Sequence, residues 1–136
     1  MKTATIRQRV VIHAPPETVY RALLSSRIHA AFTGSSARIT AKVGSKFMAW
    51  GGYIHGENLR LVPGRRIVQS WRAFETEWPR THLSRVEFRL APVTQGTRLT
   101  LTHSGVPSTY LRQLSKGWKW AYWDPMNRYF AEHPPA

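Results

Sequence analysis

Residues 108–132, STYLRQLSKGWKWAYWDPMNRYFAE, decide the fold class of this chain. Apolar and aromatic side chains recur there every three or four residues, the spacing that places them on one face of an α-helix. That face consists of Leu111, Leu114 or Ser115, Trp118, Tyr122 and Tyr129. We therefore predict one long C-terminal helix, with Ser108 as its N-cap, a close packing contact at Gly117 and a kink at Pro125.

The chain before this helix is divided into short runs rich in alternating apolar and polar residues, separated by glycine and proline turn signals. The runs predict strands at residues 3–13, 37–43, 46–50, 53–62, 66–74, 83–91 and 97–103. Apolar residues at helical spacing follow Pro15 and Pro16 and predict two short helices, of which the second ends near Gly34. The predicted fold is α+β, a curved antiparallel sheet of six to seven strands wrapped around the long helix, with two short helices after the first strand.

The length and composition place limits on the class of protein. A chain of 136 residues is the size of a single domain, and we predict one domain over residues 1–136. It contains no cysteine, which excludes a disulfide framework, a thiolate nucleophile and a cysteine-based metal site. No apolar run approaches the ~20 residues needed to cross a bilayer, and the N-terminus lacks the apolar core of a secretory signal. We expect a cytoplasmic protein without membrane insertion.

The chain is strongly basic, since 20 Lys and Arg residues against seven Asp and Glu give a formal net charge of +13. Such a charge attracts polyanions, but a binding surface requires its charges to lie together. The basic residues are spread along the sequence, without a run of five or six like charges. From the sequence we therefore expect a solvated basic surface. Nucleic-acid binding remains an alternative, marked by a contiguous basic face and an affinity that falls steeply as salt rises.

Several short motifs resemble a known family in their order along the chain. They are Ala14–Leu23 (APPETVYRAL), Phe32-Thr33, Gly44–Phe47, Gly51-Gly52, Gly56–Asn58, Pro63–Arg72 (PGRRIVQSWR), Gly96–His103 and Gly117–Met126. The chain resembles the START-like or helix-grip (SRPBCC) superfamily, and within it the domain of the activators of heat-shock protein 90 ATPase. The resemblance implies the helix-grip fold and a cavity for a lipophilic ligand; it carries over no universal set of catalytic residues.

Strand alternation selects candidate residues for the predicted cavity, because every second side chain of a strand faces the same side. When the apolar faces of the predicted strands are extended along each strand, five polar residues are expected to point inward: His55, Glu57, Gln69, His82 and His103. The predicted ligand-binding residues are Trp50, His55, Glu57, Trp71, His82, Phe88, Leu101, His103, Trp118 and Tyr122. We interpret the cavity as a binding site for a lipophilic small molecule, because such sites combine apolar walls with a few polar groups.

Two further alternatives remain open at this level. The pocket of a polyketide cyclase or dehydratase type of enzyme would need two groups among His55, Glu57, His82 and His103 near one ligand position. A chaperone-linked regulator would instead offer an exposed apolar patch to a protein partner.

No cofactor or metal is expected, since no histidine spacing of a metal site occurs. Trp120 and Trp123 are candidates for a homodimer contact.

Overall fold

The computed structural model describes residues 1–135. Its strands and helices follow each other in the order β1 (Thr3–Ile12), α1 (Pro16–Leu24), α2 (Ser26–Thr33), β2 (Lys46–Ala49), β3 (Ile54–Val62), β4 (Arg66–Ala73), β5 (Ser84–Val93), β6 (Gly96–Pro107), α3 (Leu111–Trp118) and α4 (Asp124–Glu132). Short 3₁₀ turns precede β3 and α3, at Trp50–Gly52 and Ser108–Tyr110. No helix among these residues is long and apolar enough to cross a membrane.

The six strands form one antiparallel sheet in the order β1-β6-β5-β4-β3-β2. β6 therefore pairs with both β1 and β5, which places the first strand at the sheet edge beside the last strand. Short turns join β3 to β4 and β5 to β6, as the glycine and proline signals of the sequence predict. The curved sheet lies against the C-terminal helix, so the predicted α+β helix-grip architecture is confirmed.

The predicted strand at residues 37–43 does not form, so the sheet has six strands. Only Arg38 pairs there, in an isolated bridge with Met48. The reason is the buried side chain of Asn58, whose Nδ2 donates to the carbonyl oxygens of Thr40 at 2.8 Å and Lys42 at 3.2 Å. Because a side chain satisfies these carbonyls, the segment needs no neighbouring strand.

A first-turn proline, a serine cap and a terminal glycine set the ends of the two short helices. α1 starts with a proline in its first turn, where the missing N–H costs no hydrogen bond. The Ser25 hydroxyl caps α2 by accepting a bond from the Ile28 N–H at 3.2 Å. Gly34 ends α2 in the left-handed conformation, with φ of 77°, which glycine adopts without strain.

The C-terminal helix consists of α3, a π turn at Lys119–Trp123, and α4. The π turn immediately precedes Pro125, whose missing backbone donor would break a regular α-helical ladder. Helical dihedrals continue through Asp124, and a locally widened turn accommodates the proline. Ser108 begins a 3₁₀ turn and does not cap the helix with its side chain.

Candidate functional site

A cleft of about 290 Å³ lies between the sheet and the flank of the C-terminal helix. Its walls are predominantly aromatic and apolar, and it opens beside the exposed indole of Trp120. The lining residues are Trp50, Tyr53, Ile54, Trp71, Glu75, Gln113, Leu114, Gly117, Trp118, Trp120, Ala121 and Tyr122. An aromatic cleft with few polar groups is the usual form of a small-molecule site.

Trp50 occupies one wall of the cleft in an unusual backbone conformation. Its φ is 54°, in the left-handed region that bulky residues rarely adopt, and Gly51 and Gly52 follow with positive φ. The indole N–H of Trp50 is buried and lies near the Tyr122 hydroxyl, yet makes no hydrogen bond among the described residues. A strained residue with a free buried donor at a cleft is a candidate for ligand contact.

The polar groups of the cleft gather around Glu75. The Tyr53 hydroxyl donates to the Glu75 carboxylate, and Nε2 of Gln113 donates to the same oxygen at 2.9 Å. Burial, followed by the hydrogen bond to Glu75, raises the pKa of Tyr53. Tyr53 therefore stays protonated as a donor, and the cluster presents one carboxylate to the cleft.

The floor of the cleft is the Trp118 ring, which packs against Trp71 and Tyr122 with centroid distances of 5.8 and 4.8 Å. Behind it, Trp118 Nε1 donates to Nδ1 of His103 at 3.2 Å. An indole nitrogen can only donate, so the His103 proton lies on Nε2 and is donated to the Ser84 hydroxyl. The chain of hydrogen bonds ends at the Trp71 carbonyl and fixes the Trp118 ring from behind.

Tyr122 connects the cleft to a second buried histidine. The Tyr122 hydroxyl lies 3.0 Å from Nε2 of His29, and Nδ1 of His29 is buried without a partner among the described residues. Burial lowers the pKa of His29 to about 4 and raises that of Tyr122. Both side chains are therefore neutral at neutral pH, and the pair is a polar group within an apolar wall.

The ten predicted site residues divide into separate groups. Four of them, Trp50, Trp71, Trp118 and Tyr122, come together around the cleft. Phe88 lies behind Trp118 at an enclosed space of about 10 Å³, barely the size of one water molecule. Leu101 and His103 are fully buried in the core, where His103 positions Trp118.

The inward orientation predicted for His55 and Glu57 is wrong. The residues of β3 that face the core are Ile54, Gly56 and Asn58, so both polar side chains lie on the opposite face. A β-bulge follows Asn58, in the pairing of β3 with β4, and reverses the alternation. The prediction extended the pattern backwards from Leu61 across this bulge and so inverted the face.

His82 also lies outside the cleft, in the loop before β5. Its Nε2 is 2.6 Å from the Gly105 carbonyl oxygen, a contact that ties the loop to β6. The four polar groups considered for catalysis, His55, Glu57, His82 and His103, therefore do not converge on one position. Among residues 1–135, no three His, Cys, Asp or Glu side chains come together as possible metal ligands.

The cleft extends over more of the helix than the predicted buried stripe. The cleft continues up the flank of the helix through Gln113, Gly117 and Trp120, beyond the buried stripe. Nothing lies within 4 Å of a Cβ built at Gly117, so this glycine faces open space and makes no close packing contact. Trp123, a predicted dimer residue, is buried and donates to Gln8 at 2.8 Å.

The comparisons with known proteins agree with this architecture. Residues 13–131 match the family described as "Activator of Hsp90 ATPase homolog 1-like protein". The human "Activator of 90 kDa heat shock protein ATPase homolog 1" is 28% identical over 128 residues, which are 94% of this chain and 37% of that protein. The chain thus spans little more than a third of this relative.

Two solved structures show the same fold. An Hsp90 activator from Plasmodium falciparum superposes with a TM-score of 0.80 at 25% identity, covering 95% of this chain and 96% of that one. A protein from Chromobacterium violaceum gives a TM-score of 0.74 at 27% identity, covering 92% and 95%. The match to the family extends over most of the described residues, and the chain belongs to the family of activator of Hsp90 ATPase homolog 1-like proteins.

Proposed function

We propose that this START-like domain binds a lipophilic small molecule in the cleft between the sheet and the C-terminal helix. The observation that carries the proposal is the aromatic cleft beside the unpaired indole N–H of Trp50. Its volume of about 290 Å³ is near the lower end of ligand sites, which suits a compact ligand. Burial of the ligand's apolar surface supplies the main driving force.

Two polar features give the cleft chemical selectivity. The Trp50 N–H is covered in the empty cleft, so a ligand oxygen can accept from it only when the Trp50 ring turns toward the ligand. That bond would remove the cost of about 1–3 kcal/mol of a buried N–H without a partner. At the other polar position, the Glu75 carboxylate already accepts from Tyr53 and Gln113 and can accept from a ligand donor as well. The cleft therefore favours an apolar, aromatic ligand with an acceptor such as a carbonyl oxygen.

Gly117 provides a direct test, because it lines the cleft and a Cβ added there meets no other atom within 4 Å. We would follow the fluorescence of the apolar probe 1-anilinonaphthalene-8-sulfonate and record native mass spectra of protein purified gently from its own host. Gly117→Leu should lower probe affinity at least tenfold and remove any bound small-molecule mass. Gly117→Ala should bind as the unchanged protein does, since one methyl group occupies little of the cleft.

Equal probe binding by the unchanged protein and Gly117→Leu would argue against the cleft as the site. Circular dichroism of each variant separates a blocked cleft from a disturbed fold. A protein without any bound mass and without probe binding would contradict the proposal.

A second candidate is regulation of a chaperone ATPase through direct contact. It is favoured by the human relative, named as an activator of the 90 kDa heat shock protein ATPase, and by Trp120, which is 62% exposed at the cleft mouth. Exposed tryptophan is typical of protein contact surfaces. Stimulation of a purified Hsp90-family ATPase, lost in Trp120→Ala and kept in Gly117→Leu, would favour this function. Absence of stimulation by the unchanged protein would argue against it.

A further inference from the structure

The face of the sheet opposite the C-terminal helix is rich in arginine. In β5, Arg85 and Arg89 alternate with the buried Val86, Phe88 and Leu90 and so point away from the core. The same alternation turns arginines outward from β1, β3, β4 and β6. We define the arginine face as Arg7, Arg9, Arg60, Arg65, Arg66, Arg85, Arg89 and Arg98, of which Arg65 lies in the β3–β4 turn.

The strand register brings together arginines that are distant in the sequence. Arg9 is paired with Thr100, Thr100 with Arg89, and Arg89 with Arg66, in one row across four strands. Neighbouring strands lie about 4.8 Å apart, so the row is about 14 Å long. At physiological salt the screening length is about 8 Å, and adjacent members of the row therefore feel each other's charge.

Little negative charge on the protein balances this face. Two carboxylates lie on this side of the sheet. Glu87 pairs with Arg66, with Arg89 at 3.1 Å and with Arg85 at 3.9 Å, whereas Glu57, opposite Ser70 of β4, makes no ion pair within 4.0 Å among residues 1–135. Within the described part of the chain, five members have no carboxylate within 4.0 Å: Arg7, Arg9, Arg60, Arg65 and Arg98. Like charges held this close repel each other, and a bound polyanion relieves that repulsion.

One part of the face has the shape of an anion site. Five of the arginines line a depression of about 450 Å³ at the β3–β4 end of the sheet, together with Val62, Leu90, Ala91 and Thr100. The arginines are Arg60, Arg65, Arg66, Arg89 and Arg98. A guanidinium group binds phosphate through two parallel hydrogen bonds, which makes arginine suited to phosphate recognition.

We propose that the arginine face binds the phosphate backbone of a nucleic acid without reading its sequence. The positive charge extends well beyond the depression, across four strands, which favours a chain of phosphates over one compact anion. None of the residues paired with these arginines across neighbouring strands has an aromatic side chain on which a base could stack. Contacts are therefore made to phosphates, which position a nucleic acid but carry no sequence information.

The test compares two triple variants that remove the same charge. Arg60, Arg65 and Arg98 are changed to Gln in the first, because they line the depression and make no ion pair within residues 1–135. The matched control changes three exposed helix arginines to Gln: Arg21, Arg112 and Arg128. Binding of two labelled 20-base-pair DNA duplexes of unrelated sequence is measured by fluorescence anisotropy from 50 to 300 mM KCl.

The unchanged protein should bind both duplexes equally, with affinity that falls steeply as salt rises. The Arg60, Arg65 and Arg98 variant should bind at least tenfold more weakly at 100 mM KCl. The slope of its log affinity against log salt concentration should decrease in magnitude by about 2–3, since each lost phosphate contact reduces that slope by about 0.9. The control should change affinity less than threefold and keep its slope. Equal losses in both variants, absence of DNA binding at 50 mM KCl, or tighter binding of an equally charged poly-glutamate peptide would overturn the proposal.

Discussion

Trp118 Nε1 and His103 Nδ1 are 3.2 Å apart in the core, and this hydrogen bond connects the floor of the cleft to the centre of the sheet. His103 is fully buried on β6, where the Ser84 hydroxyl accepts its other ring proton at 2.9 Å. Since the ring bonds at both nitrogens, it holds the Trp118 indole in one orientation. The cleft therefore depends on a residue that does not line it.

Replacing His103 with Leu should destabilise the protein. The substitution leaves the Trp118 N–H buried without an acceptor, which costs about 1–3 kcal/mol in the free energy of unfolding. Ser84 keeps its bond to the Trp71 carbonyl and adds little to the loss. Urea unfolding monitored by circular dichroism measures the difference. The exposed His13→Leu should stay within about 0.5 kcal/mol, and an equal loss in both variants would contradict this role for His103.

The stability of the protein should fall as the pH drops below about 6.5. Burial lowers the pKa of His103 to about 3 and that of His29 to about 4, so both stay neutral in the folded state. In the unfolded chain they bind protons near pH 6.5, and acid therefore favours unfolding. At pH 5 each histidine lowers the free energy of unfolding by about 2 kcal/mol. This pH lies about 1.5 units below the pKa of the unfolded chain, and each unit corresponds to about 1.36 kcal/mol.

Urea unfolding at pH 7 and pH 5 checks this loss. His103→Leu removes one of the two groups and should show about half of the pH effect, even though its stability at pH 7 is lower. An unfolding free energy that is the same at both pH values would contradict the neutral state of the buried histidines.

The sequence predicts the parts of the fold that follow from local periodicity. In β4 the expected inward residues Ile67, Gln69, Trp71 and Ala73 are all buried, because this strand is regular over its whole length. The helical stripe likewise places Trp118 and Tyr122 against the sheet. Three of the cleft residues, Trp71, Trp118 and Tyr122, were predicted for this reason.

The differences between the predicted and the observed structure arise from the pairing of strands, which a single sequence does not specify. The bulge in the pairing of β3 with β4 turns His55 and Glu57 away from the cleft, and no local signal marks it. Asn58 satisfies the backbone of residues 40–42 across the sheet edge, which removes an expected strand. Arg9 and Arg89 are 80 positions apart in the sequence but both pair with Thr100, so the basic residues cluster only after folding.

Gly56 should not tolerate a side chain. A Cβ at this position would lie 1.9 Å from the Ser70 carbonyl oxygen and 2.7 Å from the Phe47 ring. Gly56→Ala therefore separates β3 from β4 or displaces Phe47 from the core, and should lower the free energy of unfolding by about 3 kcal/mol or more. Thermal unfolding followed by circular dichroism would reveal the loss. A melting temperature within a few degrees of the unchanged protein would show that the strands can separate at little cost.

Gly117→Ala should have the opposite effect, although both changes add one methyl group. Gly117 lies in α3 with open space around a Cβ, so the methyl group meets no neighbour within 4 Å. Alanine also restricts the unfolded chain and favours the helix, which stabilises the protein by about 0.5–1 kcal/mol. Urea unfolding of the two alanine variants beside the unchanged protein measures both effects. Destabilisation by Gly117→Ala would mean that the flank of the helix is closed by a neighbouring group, and the cleft would then lack the free volume that ligand binding requires.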